Sequence, residues 1–344
     1  MKCRRFKWGL FGLVVLLGLF GGWHGIAHAT TSKPTNFTAV PLLPKNQLTK
    51  QADYYDLHVT PGTTQVLKLA VSNPGSTSRT LKVIPINATT ADAGNAVYIP
   101  SNRTDASAQT TFTKMTTPAV TITLAPHQGK TVTFRTKIPS GGFRGQVLGG
   151  LFVTDVKATV PKPQKHSQNF RLDNRYAEVT AVSLWCHPKQ VMPIHLKLAA
   201  VKVGLQGDQP MVFAKIRNLT PLLFGELKIK ARVIQDQTGK QVTTQTLKAG
   251  SMAPNSWFNY GVTLGSKTLA AGRYTLKLHL TSGKRTWNFN QHFRLSAQRT
   301  REHNTTVKAV KQPVNWWLWI ILAILALLLL ITGAYWLGKR RTRS

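Results

Sequence analysis

Acidic side chains are scarce in this sequence. Eleven Asp and Glu stand against 45 Lys and Arg in 344 residues, a formal net charge of +34. So one-sided a balance calls for a polyanionic partner: nucleic acid, anionic lipid or an anionic wall polymer. Cysteine is scarcer still, and two residues exclude a disulfide-rich scaffold and a multi-cysteine zinc module. The groupings that chemistry needs are also missing. Eight histidines lie beyond residue 29, with no His-x-x-x-His or His-Glu pairing. Asp53 and Asp56 are too few oxygen ligands for calcium, and two carboxylates alone do not make a glycosidase. Cys186 and His187 are neighbours along a strand and face opposite sides, so Cys186 reads as a buried structural thiol. Gly149-Gly150 reads as a bulge, because no helix follows to cradle a phosphate. No enzyme, no cofactor and no metal site is expected.

Long apolar runs occur only at the two ends. Lys2, Arg4, Arg5 and Lys7 precede a charge-free run from Trp8 to Trp23 and then Ala27-His28-Ala29, the pattern of a cleaved secretory signal over 1–29. Leu318 to Leu337 is long enough to cross the roughly 30 Å hydrocarbon core at about 1.5 Å per residue. Trp316, Trp317 and Trp319 at one edge, and Tyr335 and Trp336 at the other, are the expected membrane-interface anchors. The reading is a transmembrane helix over 316–338 in a lipid bilayer, with a basic cytoplasmic tail over 339–344 and everything before it outside. The signal and the tail each hold four basic residues and no acid, so removing these eight from +34 leaves +26 outside the cell. There nucleic acid is not the expected partner; a cell wall rich in phosphate polymers, or an anionic host surface, is. One cysteine, Cys186, remains outside, which fits a Gram-positive bacterium better than an animal surface protein stapled by disulfides.

Between the ends, period-two alternation recurs. Val120, Ile122 and Leu124 share one face with threonines on the other, and Val132, Phe134 and Ile138 repeat the pattern with cations outward. Tyr274, Leu276, Leu278 and Leu280 alternate with Thr275, Lys277 and His279. Turn signals such as Pro61-Gly62, Asn73-Pro74-Gly75 and Ser282-Gly283 separate these runs. The expected fold is an all-β ectodomain of two tandem immunoglobulin-like β-sandwiches, followed by one transmembrane α-helix. The polar stretch 159–171 resembles a domain boundary. However, Leu148–Val156 and Tyr176–Trp185 are strand-like on either side of it, and consecutive strands usually pair. The boundary is therefore expected near Cys186, giving sandwiches over 36–186 and 187–298 and a basic tether over 299–315. Trp257, Phe258, Trp287, Phe289 and Phe293 form either core or a binding platform in the second half.

A set of ordered short motifs resembles the WxL-interacting proteins of Gram-positive bacteria. In the first half these are Pro44-Lys-Asn46-Gln47, Tyr54-Tyr55-Asp56-Leu57 before Pro61-Gly62, Asn73, Asn87-Ala88-Thr89, Tyr98, and Phe143-Arg-Gly145 through Leu148-Gly149-Gly150-Leu151. In the second half they are Ile216-Arg217-Asn218, Met252-Ala253-Pro254-Asn255-Ser256 with Phe258, Gly272-x-Tyr274 and Trp287-x-Phe289. The resemblance implies a cell-surface protein with a peptidoglycan-binding first domain and a second domain that contacts host extracellular matrix, with WxL-domain surface proteins as companions. Asn46, Gln47, Tyr55 and Asp56 are then the candidate ligand lining, with Tyr55 otherwise a core residue and Asp56 a turn former. An exported, membrane-tethered chaperone or assembly factor for WxL proteins is the alternative, since a sheet edge can accept an added strand.

Overall fold

The computed structural model describes residues 37–156, 176–207, 209–265, 267–309 and 316–341, with side chains in the last helix described at 319–334 and 336. The expected signal over 1–29 and the side chains of the anchors Trp316, Trp317 and Tyr335 lie outside what is described.

The first half is built on two sheets. One has the order β1 (Thr38–Leu42), β3 (Thr64–Ser72), β8 (Gly129–Lys137), all antiparallel. The other runs β2 (Tyr55–His58), β10 (Ala177–Trp185), β9 (Gln146–Asp155), β4 (Arg79–Asn87), β7 (Val120–Leu124), with β2 parallel to β10. Alternation makes this assembly possible. Leu67, Leu69, Val132 and Phe134 point inward from the first sheet and meet Tyr55, Leu57, Leu81, Val83, Leu151, Val153, Val182 and Leu184 from the second in one core. The strands on either side of 157–175 pair directly, Val182 opposite Gly149 and Leu184 opposite Val147.

The second half repeats the arrangement. A three-stranded sheet β11 (Leu196–Gln206), β12 (Gln209–Asn218), β15 (Ser256–Thr263) faces a four-stranded sheet ordered β14 (Gln241–Leu247), β13 (Lys228–Gln235), β16 (Gly272–Ser282), β17 (Arg285–Leu295). Val212, Ala214, Ile216, Phe258 and Val262 of one sheet pack on Ile229, Val233, Leu276, Leu278 and Phe293 of the other. The two halves also share a device. Asn73 and Asn218 are both fully buried at the end of a strand. Each uses its amide to donate to carbonyls of the crossing loop, Leu124 and Ala125 for one and Ala253 for the other.

Gly149-Gly150 is not a bulge. Asn87, Gly149 and Val182 lie in register across three strands with no shift. The glycines serve a close approach instead: a Cβ at 149 would sit 2.5 Å from the Ile86 carbonyl oxygen and 2.5 Å from the Phe112 ring. Phe112 belongs to α1 (Phe112–Met115), the short helix that plugs this end of the core.

The expected tether is ordered in its first part. Residues Ala297–Ala309 form α2, with Thr300 and His303 buried. His303 Nε2 lies 3.0 Å from the Lys267 carbonyl oxygen, and the Asn304 amide both accepts from the Leu269 N–H and donates to its carbonyl. Polar contacts hold this helix, so no apolar stripe marks it in the sequence. Trp316–Arg341 is also a single helix, α3. Among the described residues, however, no helix is long and apolar enough to cross a membrane. The described side chains of α3 at 319–334, Trp319 among them, and at Trp336 are exposed.

Candidate functional site

The four candidate lining residues sit on and behind one loop. Tyr55 starts β2 facing inward and is fully buried; its hydroxyl donates to the Lys68 carbonyl at 2.6 Å. Burial pushes that hydroxyl well above the usual tyrosine range, more than its hydrogen bond near Leu42 lowers it. Tyr55 is therefore a core residue and offers a ligand nothing. Asp56, the next residue, faces the other way. Its carboxylate accepts from Ser183 Oγ at 3.0 Å, Trp185 Nε1 at 3.0 Å and Thr49 Oγ1 at 2.8 Å. Gln47 donates to the Tyr54 carbonyl and accepts from the Asp56 N–H, while Asn46 donates to the His58 carbonyl and to Gln65 Oε1. These polar groups fasten the 44–56 loop onto β2 and β10. The large apolar side chains this loop exposes are Leu48 and Tyr54, set among the exposed Lys45, Thr49, Lys50, Gln51 and Asp53.

Most of the other motif residues gather where the halves meet. The chain from Ala88 to Thr111, which carries the short paired strands β5 (Thr89–Thr90) and β6 (Ala96–Val97), leaves the first half and lies across β12 and β15. Thr90 Oγ1 bonds Ser256 Oγ at 2.6 Å and accepts from the Ala253 N–H. Asp105, buried, takes a two-pronged bond from Arg217 at 2.7 and 2.8 Å. Burial would raise its carboxyl, but Arg217 and the Ser107 N–H and hydroxyl outweigh that and hold it below the ordinary range. The Trp257 indole lies under two cations, Arg103 at 4.8 Å and Lys215 at 3.9 Å, and donates to the Thr104 carbonyl. Asp92 pairs with Arg103 and accepts from the Asn259 N–H. Gln146, at the start of β9, bonds Ser183 on one side and the Leu223 N–H on the other, so the Asp56 cluster connects to the junction. A small apolar cluster of Ala88, Leu148 and Ala253 seals it.

Beside these contacts a cleft of about 460 Å³ opens between the halves, with Gln109, Arg144 and Gln146 on one wall and Met192, His195 and Asn255 on the other. Its walls come from segments far apart in the sequence, and no local pattern brings them together. Gly145 lies between the lining residues Arg144 and Gln146. With φ +66° and an ideal Cβ only 2.3 Å from the Pro221 carbonyl oxygen, no other residue fits without moving the halves apart. Gly145→Ala is expected to destabilise the protein by about 1–3 kcal/mol from backbone strain alone, before the clash is counted. Gly141→Ala, in open space, should leave thermal unfolding unchanged; equal melting of the two variants would contradict the tight junction.

The remaining sequence candidates divide cleanly. Phe258 and Phe293 are core, and Trp287 and Phe289 pack against it half-buried. Trp257 alone belongs to the junction. Cys186 is buried and free, and burial raises its thiol toward the protonated form. Among the described residues no group of three or more His, Cys, Asp or Glu is placed to hold a metal.

Two sheet pairs thus meet at a polar junction. The chain belongs to the WxL-interacting protein family. Residues 37–155 match the model for the WxL Interacting Protein peptidoglycan binding domain, and 167–305 match the one for its host binding domain. These are binding modules, not catalytic families. No curated protein matches the chain. Among solved structures it is similar to a chaperone–tip adhesin complex of CFA/I fimbriae, at 9% identity and TM-score 0.27, covering 74% of this chain and 97% of that one. The Pseudomonas aeruginosa CupB2 chaperone gives 14% and 0.25, covering 67% and 94%. The E. coli chaperone DraB gives 17% and 0.22, covering 69% and 92%.

Proposed function

We propose that the protein is a non-catalytic, membrane-anchored surface scaffold of a Gram-positive bacterium. Its first half binds peptidoglycan, and its second contacts host extracellular matrix and WxL-domain proteins. The observation that carries this reading is the pair of family matches, in that order on one chain. The charge-free run behind the basic N-terminus exports the chain through a signal over 1–29. The apolar run from Leu318 to Leu337, ahead of a basic tail, stops it in the bilayer with the C-terminus inside. Each half is an immunoglobulin-like sandwich, and the first ends near Cys186. Peptidoglycan meets the first half at the 44–56 loop, where Asn46, Gln47 and Asp56 hold the backbone in shape and Leu48 and Tyr54 make contact.

Salt separates a shaped site from bulk attraction. Screening shortens from about 8 Å at physiological ionic strength to about 3 Å at 1 M. Sacculi stripped of phosphate polymers should still retain the protein at about 1 M salt, and Tyr54→Ala should weaken that retention. Complete release under those conditions would reject a specific peptidoglycan site.

A further inference from the structure

The four-stranded sheet of the second half has two unlike faces. Its inner side chains fill the core. Its outer face exposes Lys228, Lys230 and Arg232 on β13, Arg273 and Lys277 on β16, and Arg294 on β17. The register sets Arg232 directly opposite Lys277 and Arg273 directly opposite Arg294. Like charges facing each other across strands destabilise a sheet. Strands lie about 4.8 Å apart and alternate residues about 6.8 Å apart, so the cations form a flat lattice rather than scattered points. Counter-charge stands at the two ends of the sheet: at one, Asp236 lies 4.0 Å from Arg273 and also accepts from Thr275 and contacts His292, and at the other Glu226 lies beside Gly283. Among the described residues, Lys228, Lys230, Arg232, Lys277 and Arg294 form no ion pair.

The same face lacks a platform for sugar rings. On β17, Trp287, Phe289 and Phe293 pack toward the core, and Asn288, Asn290, His292 and Arg294 alternate outward. Pyranose rings are held mainly by stacking on aromatic side chains, and here none is presented. What the surface offers is closely spaced positive charge. We propose that the outer face of the sheet β14-β13-β16-β17 binds a linear phosphodiester polymer. A flexible chain with a phosphate at every short repeat follows the lattice and relieves the cross-strand repulsion, whereas a stiff sulfated glycan gains only the charge. This site is separate from wall recognition by the first half, and either can fail without the other.

The test is binding of the full-length protein to poly(glycerol phosphate) across a salt series, with heparin and neutral dextran as comparison polymers. The logarithm of affinity should fall linearly with the logarithm of salt, by about 0.7 per phosphate neutralised. K230Q/R232Q/K277Q should lower that slope by about 2 and weaken binding at least about tenfold at physiological salt. Its melting temperature should be unchanged or higher, because the Arg232–Lys277 repulsion is gone. Arg232→Gln and Lys277→Gln taken singly should each lower the slope by about 0.7, which keeps the test intact if the triple variant folds poorly. K130Q/R135Q/K137Q removes the same charge from exposed positions on β8 and should change the slope little. Equal losses from the two triple variants would show diffuse net-charge attraction and overturn the site. Tighter binding to heparin than to poly(glycerol phosphate) would overturn the phosphodiester assignment.

Discussion

A chain ending at Phe170 is expected not to fold, whereas one ending at His187 should melt cooperatively. The difference between them is β10, an inner strand with β2 on one side and β9 on the other. It places Val182 and Leu184 in the core with no exposure and buries Ser183 against Gln146. Deleting buried aliphatic side chains costs roughly 2–5 kcal/mol each. Losing the strand adds an unpaired edge along Gln146–Thr154 and strips β2 of its neighbour. Together these losses reach the 5–15 kcal/mol that holds a domain. The experiment is discriminating because the family's second-domain match begins at residue 167, upstream of β10. Circular dichroism and thermal melting of the two chains decide it. Cooperative melting of both at one midpoint would place the boundary before β10.

Asp105→Asn is expected to cost about 2–3 kcal/mol, between the ranges for an exposed and a fully buried ion pair, because Asp105 is buried while the Arg217 side chain is 25% exposed. Asparagine keeps the shape but leaves the Arg217 guanidinium facing a neutral group where two charge-assisted bonds stood. The pair Arg103–Asp92 is the internal comparison. Its side chains are 34% and 46% exposed, so Asp92→Asn should cost no more than about 1 kcal/mol. In a double-mutant cycle, D105N/R217M should be less destabilised than the sum of its single changes. The pH dependence has a definite sign. Asp105 titrates below its unfolded value of about 3.9 in the folded protein. Its contribution is therefore complete above that pH and is lost as pH falls through the lower, folded value. Below about pH 4 the wild type should lose stability more steeply than D105N. Parallel acid-melting curves would remove Asp105 from the account.

The strands were legible in the residues because burial on one face of a sheet forces alternation. Val132 and Phe134 against Thr133 and Arg135 is such a pattern, and both apolar residues do face the core. The order of the two halves was legible too, through the motifs that resemble the family. What several of those motifs do was not. Thr89, Asn218 and Met252–Ser256 read as scattered matches and turn out to crowd the junction, because Thr90 meets Ser256 across 166 residues of chain. The helix α2 was missed for a different reason: its hold on the second half is a set of polar contacts from His303 and Asn304, which leave no apolar period.

By itself the amino-acid sequence determined the all-β class of the chain between its apolar ends, its strongly cationic surface and its family, since each depends on local composition, periodicity or ordered short motifs. Only the tertiary structure decided that Asp56 is locked by Thr49, Ser183 and Trp185. It also decided that Asp105 and Arg217 join the halves, and that six cations line up on one sheet face. Those arrangements depend on register and on long-range approach. Shifting a strand by one residue sends every side chain to the opposite face, and residues a hundred positions apart become neighbours only when both cores have formed.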